Sequence, residues 1–353
     1  MTDKKTVALI FGGYSNEYEV SLSSAHAIIK AIDLVKYFPV LIGITRAGTW
    51  YRYIGDVDKI ANDTWHEDKA NLIPAVISPS RGEGLIEFFT STTKTTKIDA
   101  VFPVLHGKNG EDGTVQGLCE LAGIPIVGST TASSAFCMDK VRAYHLVAHA
   151  GISVPKFVYY DVMPTEKKVG TDISHMTLPL FVKPSKAGSS VGVSKVDDFA
   201  DVKEAIKAAF EHDDVVLVEE GIAGLELGCA VVGNNELFTG RIDEIDAPSG
   251  FFDYVEKYSL KTAKIHTPAR IDTSSELRLQ ETAKSIFKVL GCRGYARIDM
   301  FLKDSGEIVF SEANTIPGFT SHSRFPRMMR EAGMSFSDLI GKLIELAYET
   351  SNN

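Results

Sequence analysis

The chain opens on polar residues and passes at once into a continuous apolar run, Val7-Ala8-Leu9-Ile10-Phe11, which predicts a strand buried on both faces. Gly12-Gly13 ends the run. Ala25, Ile28, Ile29 and Ile32 then recur at helical spacing, so a helix is expected from about Ser21. Residues 40–44 and 99–105 read as further strands, the second running into a polar loop at His106. Val115, Leu118, Leu121 and Ala122 mark the helix that follows. This strand–helix alternation predicts a parallel sheet in the first third of the chain.

A helix is expected from Met138 to His149. Beyond Val154 the pattern shortens to strands at 180–183, 191–196 and 215–219 with one helix at 199–210, a separate small α+β unit. Residues 226–241 read as a hairpin turning at Gly233-Asn234-Asn235. A helix at 275–290 precedes a second hairpin, 295–302 and 308–312, turning at Asp304-Ser305-Gly306, and an amphipathic helix at 336–347 follows. There is no internal repeat and no low-complexity stretch.

Composition narrows the class. The 353 residues suit two or three domains, and 44% hydrophobic with 24% charged residues is ordinary for a globular protein. A net charge of -9 argues against a general nucleic-acid binder, whose footprint is basic. Cys119, Cys137, Cys229 and Cys292 form no Cys-x-x-Cys pair, so each reads as a small core residue rather than a zinc ligand or half of a disulfide. The start shows no signal-peptide pattern and no run of about 18 apolar residues exists, so no membrane span is expected and the cytoplasm is the expected location.

Five segments carry candidate chemistry. Lys183-Pro184-Ser185-Lys186-Ala187-Gly188-Ser189-Ser190-Val191-Gly192 joins two strands through small residues. Its amides can approach phosphate oxygens while Lys183 neutralises them; by itself it equally fits a plain hairpin turn. Arg297-Ile298-Asp299 and Glu312-Ala313-Asn314 alternate on neighbouring strands, so two acids and an amide oxygen converge on one face. That donor set suits Mg²⁺ with substrate phosphates completing the shell. The segment after Asn314, rich in hydroxyls and glycine, suits an oxyanion or carboxylate pocket. The loops 12–21 and 106–113 both follow strands, at the usual ligand edge of a parallel sheet, and Ser21 is an N-cap candidate. Neither a Walker A loop nor a Gly-x-Gly-x-x-Gly after the first strand is present.

Together, in order and over nearly the whole chain, these segments resemble the ATP-grasp superfamily and within it the D-alanine–D-alanine ligase family. Met138-Asp139-Lys140 and Glu256-Lys257-Tyr258 add to the match. The resemblance implies an α/β and α+β architecture: an N-terminal α/β substrate domain over 1–128, a small central domain over 129–219, and a C-terminal domain over 220–353, the last two clasping ATP. It implies that Glu17 receives the ammonium of the first D-amino acid and joins Ser189 and Tyr258 in a hydrogen-bonded set. Lys140 and Lys183 would hold ATP phosphates, Glu226 the ribose, and Lys257 would come from a mobile loop. Glu219 and Phe251 belong to the expected nucleotide pocket, although Glu219-Glu220-Gly221-Ile222 departs from the acid-lysine-aromatic run of some relatives, which leaves the adenine contacts open. Asp299, Glu312 and Asn314 would ligate two Mg²⁺, which Mn²⁺ can replace. Arg297 and the Gly318 N–H would stabilise the oxyanion, with His106 and Ser323 on the substrates. A homodimer is implied as well.

Arg324 directly after His322-Ser323, with Phe252 and Asp243, resembles the VanG-type D-alanine–D-serine ligases. The expected reaction therefore joins D-alanine to D-serine through a D-alanyl phosphate, for peptidoglycan precursors in vancomycin resistance. A second D-alanine is the alternative acceptor, and a non-catalytic nucleotide-binding module a remote one. The triplet Glu256-Lys257-Tyr258 is unlike the D-lactate-using type. The loop 183–192 and the segment 243–262 are the candidate lids.

Overall fold

The computed structural model describes residues 4–188, 191–246, 264–320 and 322–349. The first sheet has seven strands, β1 (Lys5–Gly12), β2 (Tyr37–Ile44), β3 (Trp50–Tyr53), β4 (Leu72–Ile77), β5 (Leu85–Phe88), β6 (Thr93–Thr96) and β7 (Ala100–Pro103), in the order β6-β5-β4-β3-β2-β1-β7. The expected parallel pairing is found where β1 lies between β2 and β7. Strands β3 to β6 extend it as an antiparallel meander that the apolar pattern did not announce. β6 is Thr-Lys-Thr-Thr, largely exposed, and carries no hydrophobic signal.

Both faces of β1 are covered, as its unbroken apolar run requires. Ala8 and Ile10 pack with Val115 and Cys119 of helix α3 (Thr114–Ala122). Val7, Leu9 and Phe11 pack with Leu22 and Ile28 of helix α1 (Tyr18–Ala31). Three short helical elements, α2 (Asp58–Ala61) being one, separate α1 from α3. The buried stripe of α3 is Val115, Gln116, Cys119 and Ala122, whereas Leu121 is exposed, a correction to the expected apolar face.

The helix expected from Met138 to His149 is two helices, α4 (Thr131–Met138) and α5 (Lys140–His149), that meet at Asp139. The Asp139 carboxylate accepts from the Arg142 N–H at 3.2 Å and so caps α5. Both helices pack in the core of the third sheet: Cys137, Val141 and Tyr144 lie with Ile298, Met300 and Phe310.

The second sheet is small, β10-β9-β11-β8, made of β8 (Phe157–Tyr160), β9 (Leu180–Pro184), β10 (Ser194–Val196) and β11 (Val216–Glu220). Helices α6 (Glu166–Asp172) and α7 (Val202–Ala209) cover one face over a core of Leu180, Val182, Val216 and Val218.

The third sheet runs β15-β14-β12-β16-β17, with β13 paired beside β12. Its strands are β12 (Leu225–Gly233), β13 (Leu237–Thr239), β14 (Asp243–Asp246), β15 (Lys264–His266), β16 (Gly294–Leu302) and β17 (Ile308–Asn314). Helix α8 (Thr273–Val289) packs on one face, and α9 (Arg324–Glu331) and α10 (Phe336–Glu349) on the other. Leu339, Leu343 and Ile344 of α10 share one core with β1, α1 and Tyr295 of β16. The first and third sheets are thereby fixed to each other. All four cysteines are free thiols and buried. Among the described residues no helix is long and apolar enough to cross a membrane.

Candidate active site

The paired strands β16 and β17 build one wall. In register, Arg297 faces Asn314 and Asp299 faces Glu312. The register then slips, so that Met300 pairs with Phe310 and Ser311 is the extra residue. Without this bulge, Phe310 and Glu312 would point the same way. With it, Phe310 is fully buried in the core beside Met300, while Glu312 and Asn314 line a cavity of about 520 Å³.

That cavity gathers most of the expected residues: Glu17, His106, Lys140, Glu226, Arg297, Asp299, Glu312, Asn314, Gly318, Ser323 and Arg324. They come from the first sheet's loops, from α5, and from the third sheet with the loop after it. Lys183, Glu219 and Asp243 are not among the residues that line it. Lys183 and Glu219 pair with each other at 2.7 Å, and Glu219 also accepts from the Tyr144 hydroxyl at 2.8 Å. Ser189, Phe251, Phe252, Lys257 and Tyr258 lie outside the described residues.

Glu17, not Ser21, is the N-cap residue of α1. Ser21 lies inside the helix, where its hydroxyl accepts from the Gly12 N–H at 2.8 Å and donates to the Val104 carbonyl. This ties the ends of β1 and β7 together behind the site. Gly188 closes over Glu17 from the second sheet: a Cβ at Gly188 would lie 2.9 Å from Glu17 Oε2. The base of the same loop is anchored at α5, where the Ser185 hydroxyl donates to Asp139 at 2.8 Å and accepts from the Val141 N–H at 3.2 Å. Lys140 thus emerges at the root of that loop, with its Nζ donating to the Ala187 carbonyl at 3.1 Å and 3.7 Å from Glu312.

Asp299 is held by its neighbours. Arg297 Nε donates to it at 2.8 Å and Arg297 Nη2 at 2.7 Å, and the Asn314 amide at 3.2 Å. The donors facing the cavity from Asp299, Glu312 and Asn314 are hard oxygens, a set that fits Mg²⁺. Among the described residues no three His, Cys, Asp or Glu side chains form a cage by themselves.

Arg324 is nearly buried, its side chain 11% exposed. Its guanidinium donates in a fork to Asp243, Nε and Nη2 each at 2.7 Å, and Nη2 is 3.4 Å from Asp299. Asp243, Gly228 and Asp299 stand side by side on β14, β12 and β16. The guanidinium lies across this row because Gly228 has no side chain. A Cβ there would be 2.6 Å from Asp243 Oδ1, 3.0 Å from Asp299 Oδ1 and closer still to Arg324 Nη2. Burial works against the charge on Arg324, but Asp243 and then Asp299 outweigh it and keep the group cationic.

Two families of sequence model cover the chain: the D-ala D-ala ligase N-terminus over residues 6–129 and the D-ala D-ala ligase C-terminus over residues 146–345. The chain belongs to the D-alanine–D-alanine ligase family. The ligase is 45% identical to the vancomycin B-type resistance protein VanB of Enterococcus faecalis, over 98% of this chain and 99% of that one. It is 42% identical to the D-alanine–D-alanine ligase of Acetivibrio thermocellus, over 100% and 98%. The solved VanG D-Ala:D-Ser ligase from Enterococcus faecalis superposes with a TM-score of 0.91 at 55% identity, over 98% of this chain and 100% of that one. The fold is therefore ATP-grasp, and ligases of this family act on D-amino acids with ATP and a divalent cation.

Sequence reasoning passed over Glu111, Ser24, Gly188 and Gly228. Glu111 accepts from the Gly107 N–H at 2.9 Å and from the Ile316 N–H at 3.2 Å. Burial, with the nearby charge of Glu17, pushes its carboxyl up to about 8. The only sequence signal for it was its place in the loop 106–113.

Proposed function

We propose that the ligase joins D-alanine to D-serine, forming D-alanyl-D-serine, ADP and phosphate, with D-serine preferred over a second D-alanine. In the first step a D-alanine carboxylate oxygen attacks the γ-phosphorus of ATP, and the bond to ADP breaks to leave D-alanyl phosphate. Glu17 holds the ammonium of this substrate. Lys140 and Lys183 hold phosphates and Glu226 the ribose. Asp299, Glu312 and Asn314 would hold two Mg²⁺, which offset phosphate charge. In the second step the amine of the acceptor attacks the acyl carbon. Its proton passes to the departing phosphate as the carbon–oxygen bond breaks. Arg297 and the Gly318 N–H carry the charge on the tetrahedral oxygen. Ser323, at the N-terminus of α9, presents the acceptor carboxylate to the positive end of that helix.

The observation that carries the choice of acceptor is Arg324, which lines the cavity next to Ser323 while its Nε and Nη2 are fixed on the buried Asp243. A hydrogen-bond donor fixed on the cavity wall favours an acceptor whose hydroxyl can bond to it. The test is a competition with purified enzyme, ATP, Mg²⁺, D-alanine and D-serine, the dipeptides being separated and counted. D-Alanyl-D-serine should dominate at equal acceptor concentrations. Predominance of D-alanyl-D-alanine would make the ligase a D-alanine–D-alanine enzyme, and phosphate release without any D-amino acid would remove the ligase reading.

A further inference from the structure

The proposed oxyanion donor, the Gly318 N–H, lies in a loop without regular structure, so something else must fix it. That N–H has no hydrogen bond among the described residues. Its flanking peptides, in contrast, are gripped by the first domain. The Ile316 carbonyl accepts from His106 Nδ1–H at 2.8 Å, and the Ile316 N–H donates to Glu111 at 3.2 Å. The Phe319 N–H donates to the Ser24 hydroxyl oxygen at 3.0 Å. A carbonyl can only accept, so the proton of His106 is on Nδ1. Nε2 is then free to accept from the Ser24 hydroxyl, 3.3 Å away. Every donor and acceptor in this chain has one consistent direction.

We propose that Ser24, His106 and Glu111 form a positioning clamp that sets the Gly318 N–H against the tetrahedral oxygen, a role that rests on the reading of Gly318 given above. Ser24 and Glu111 reach the loop through its backbone and act through it, so they are positioning residues. Burial holds His106 below its ordinary range, which keeps it neutral and preserves the Nε2 acceptor. The clamp also makes the second chemical step depend on the docking of the first domain against the third sheet, since α1 and the loop 106–113 carry all three residues. Misplacing a transition-state donor by about 1 Å costs roughly 100-fold in rate.

The deciding variant is Ser24→Ala, which leaves the Phe319 N–H and His106 Nε2 without their shared partner. Acyl-phosphate formation is read by D-alanine-dependent scrambling of ¹⁸O between the β,γ-bridge and β-nonbridge positions of ATP. Overall ligation is read as dipeptide. Dipeptide formation should fall by about 100-fold, the low end of the range for loss of one oxyanion donor. Scrambling should stay within about threefold of the parent, because the tetrahedral oxygen forms only in the second step. Ser24→Thr, which restores the hydroxyl, should recover most of the loss. Equal losses in both readouts, or no loss in either, would overturn the clamp. If Ser24→Ala does not fold, Glu111→Gln, which keeps one acceptor oxygen, is put to the same pair of readouts with the same split expected. A parent enzyme that gives neither scrambling nor dipeptide would refute the functional reading instead.

Discussion

At the scale of single residues, the site depends on where side chains are missing as much as on where they are present. Gly228 sits between Asp243 and Asp299 and lets the Arg324 guanidinium bridge them. Gly228→Ala should push Arg324 away from Asp243. The expected result is a fall of at least about 10-fold in the kcat/KM ratio of D-serine to D-alanine, since a site that bonds a substrate hydroxyl can discriminate by far more than this. Steady-state kinetics with each acceptor checks it. Glu111 makes a pH prediction. Its carboxyl is raised from 4.5 to about 8 in the folded protein, so between those values the unfolded chain has released a proton that the native chain still holds. Stability from this group is complete below about pH 4.5 and is lost as pH rises to about 8. In thermal melts of the ligand-free enzyme, Glu111→Gln should therefore gain on the parent steadily from pH 5 to pH 8.

At the scale of elements, boundaries place the chemistry. Asp139 ends α4 and caps α5, and it accepts from Ser185 at the root of the loop 183–192. Asp139→Ala should cost about 1 kcal/mol of stability through the lost cap. It should also raise the KM for ATP, because Lys140 follows directly; chemical denaturation and ATP kinetics measure the two effects. The hairpin of β16 and β17 was legible, as was the common face of Arg297, Asp299, Glu312 and Asn314. Its bulge at Ser311 was not, because local alternation cannot show which residue the partner strand skips. The break at Asp139 was also missed, since the apolar spacing continues through it.

At the scale of the whole molecule, the cavity exists because the first and third sheets share a core closed by α10. Removing residues 336–353 would strip Leu339, Leu343 and Ile344 from it. Each fully buried leucine or isoleucine contributes about 2 kcal/mol, and native domains are stable by only about 5–15 kcal/mol. The truncated chain should lose cooperative unfolding in calorimetry and bind no ATP. The packing also departs from chain order. Helices α4 and α5 follow the first domain in sequence and precede the small sheet, yet their apolar faces are buried against β16 and β17.

The sequence by itself determined the element types in the strongly patterned stretches, the family, and the hard-oxygen donor set, because these follow from local periodicity and from motifs that keep their order. Tertiary structure alone decided that Arg324 is forked onto Asp243 and that Glu111, His106 and Ser24 grip the loop around Gly318. Those partners stand 81 to 295 residues apart. Which polar groups meet across such separations depends on how the sheets dock, and docking is driven by apolar area, which carries no information about the polar pairs it brings together.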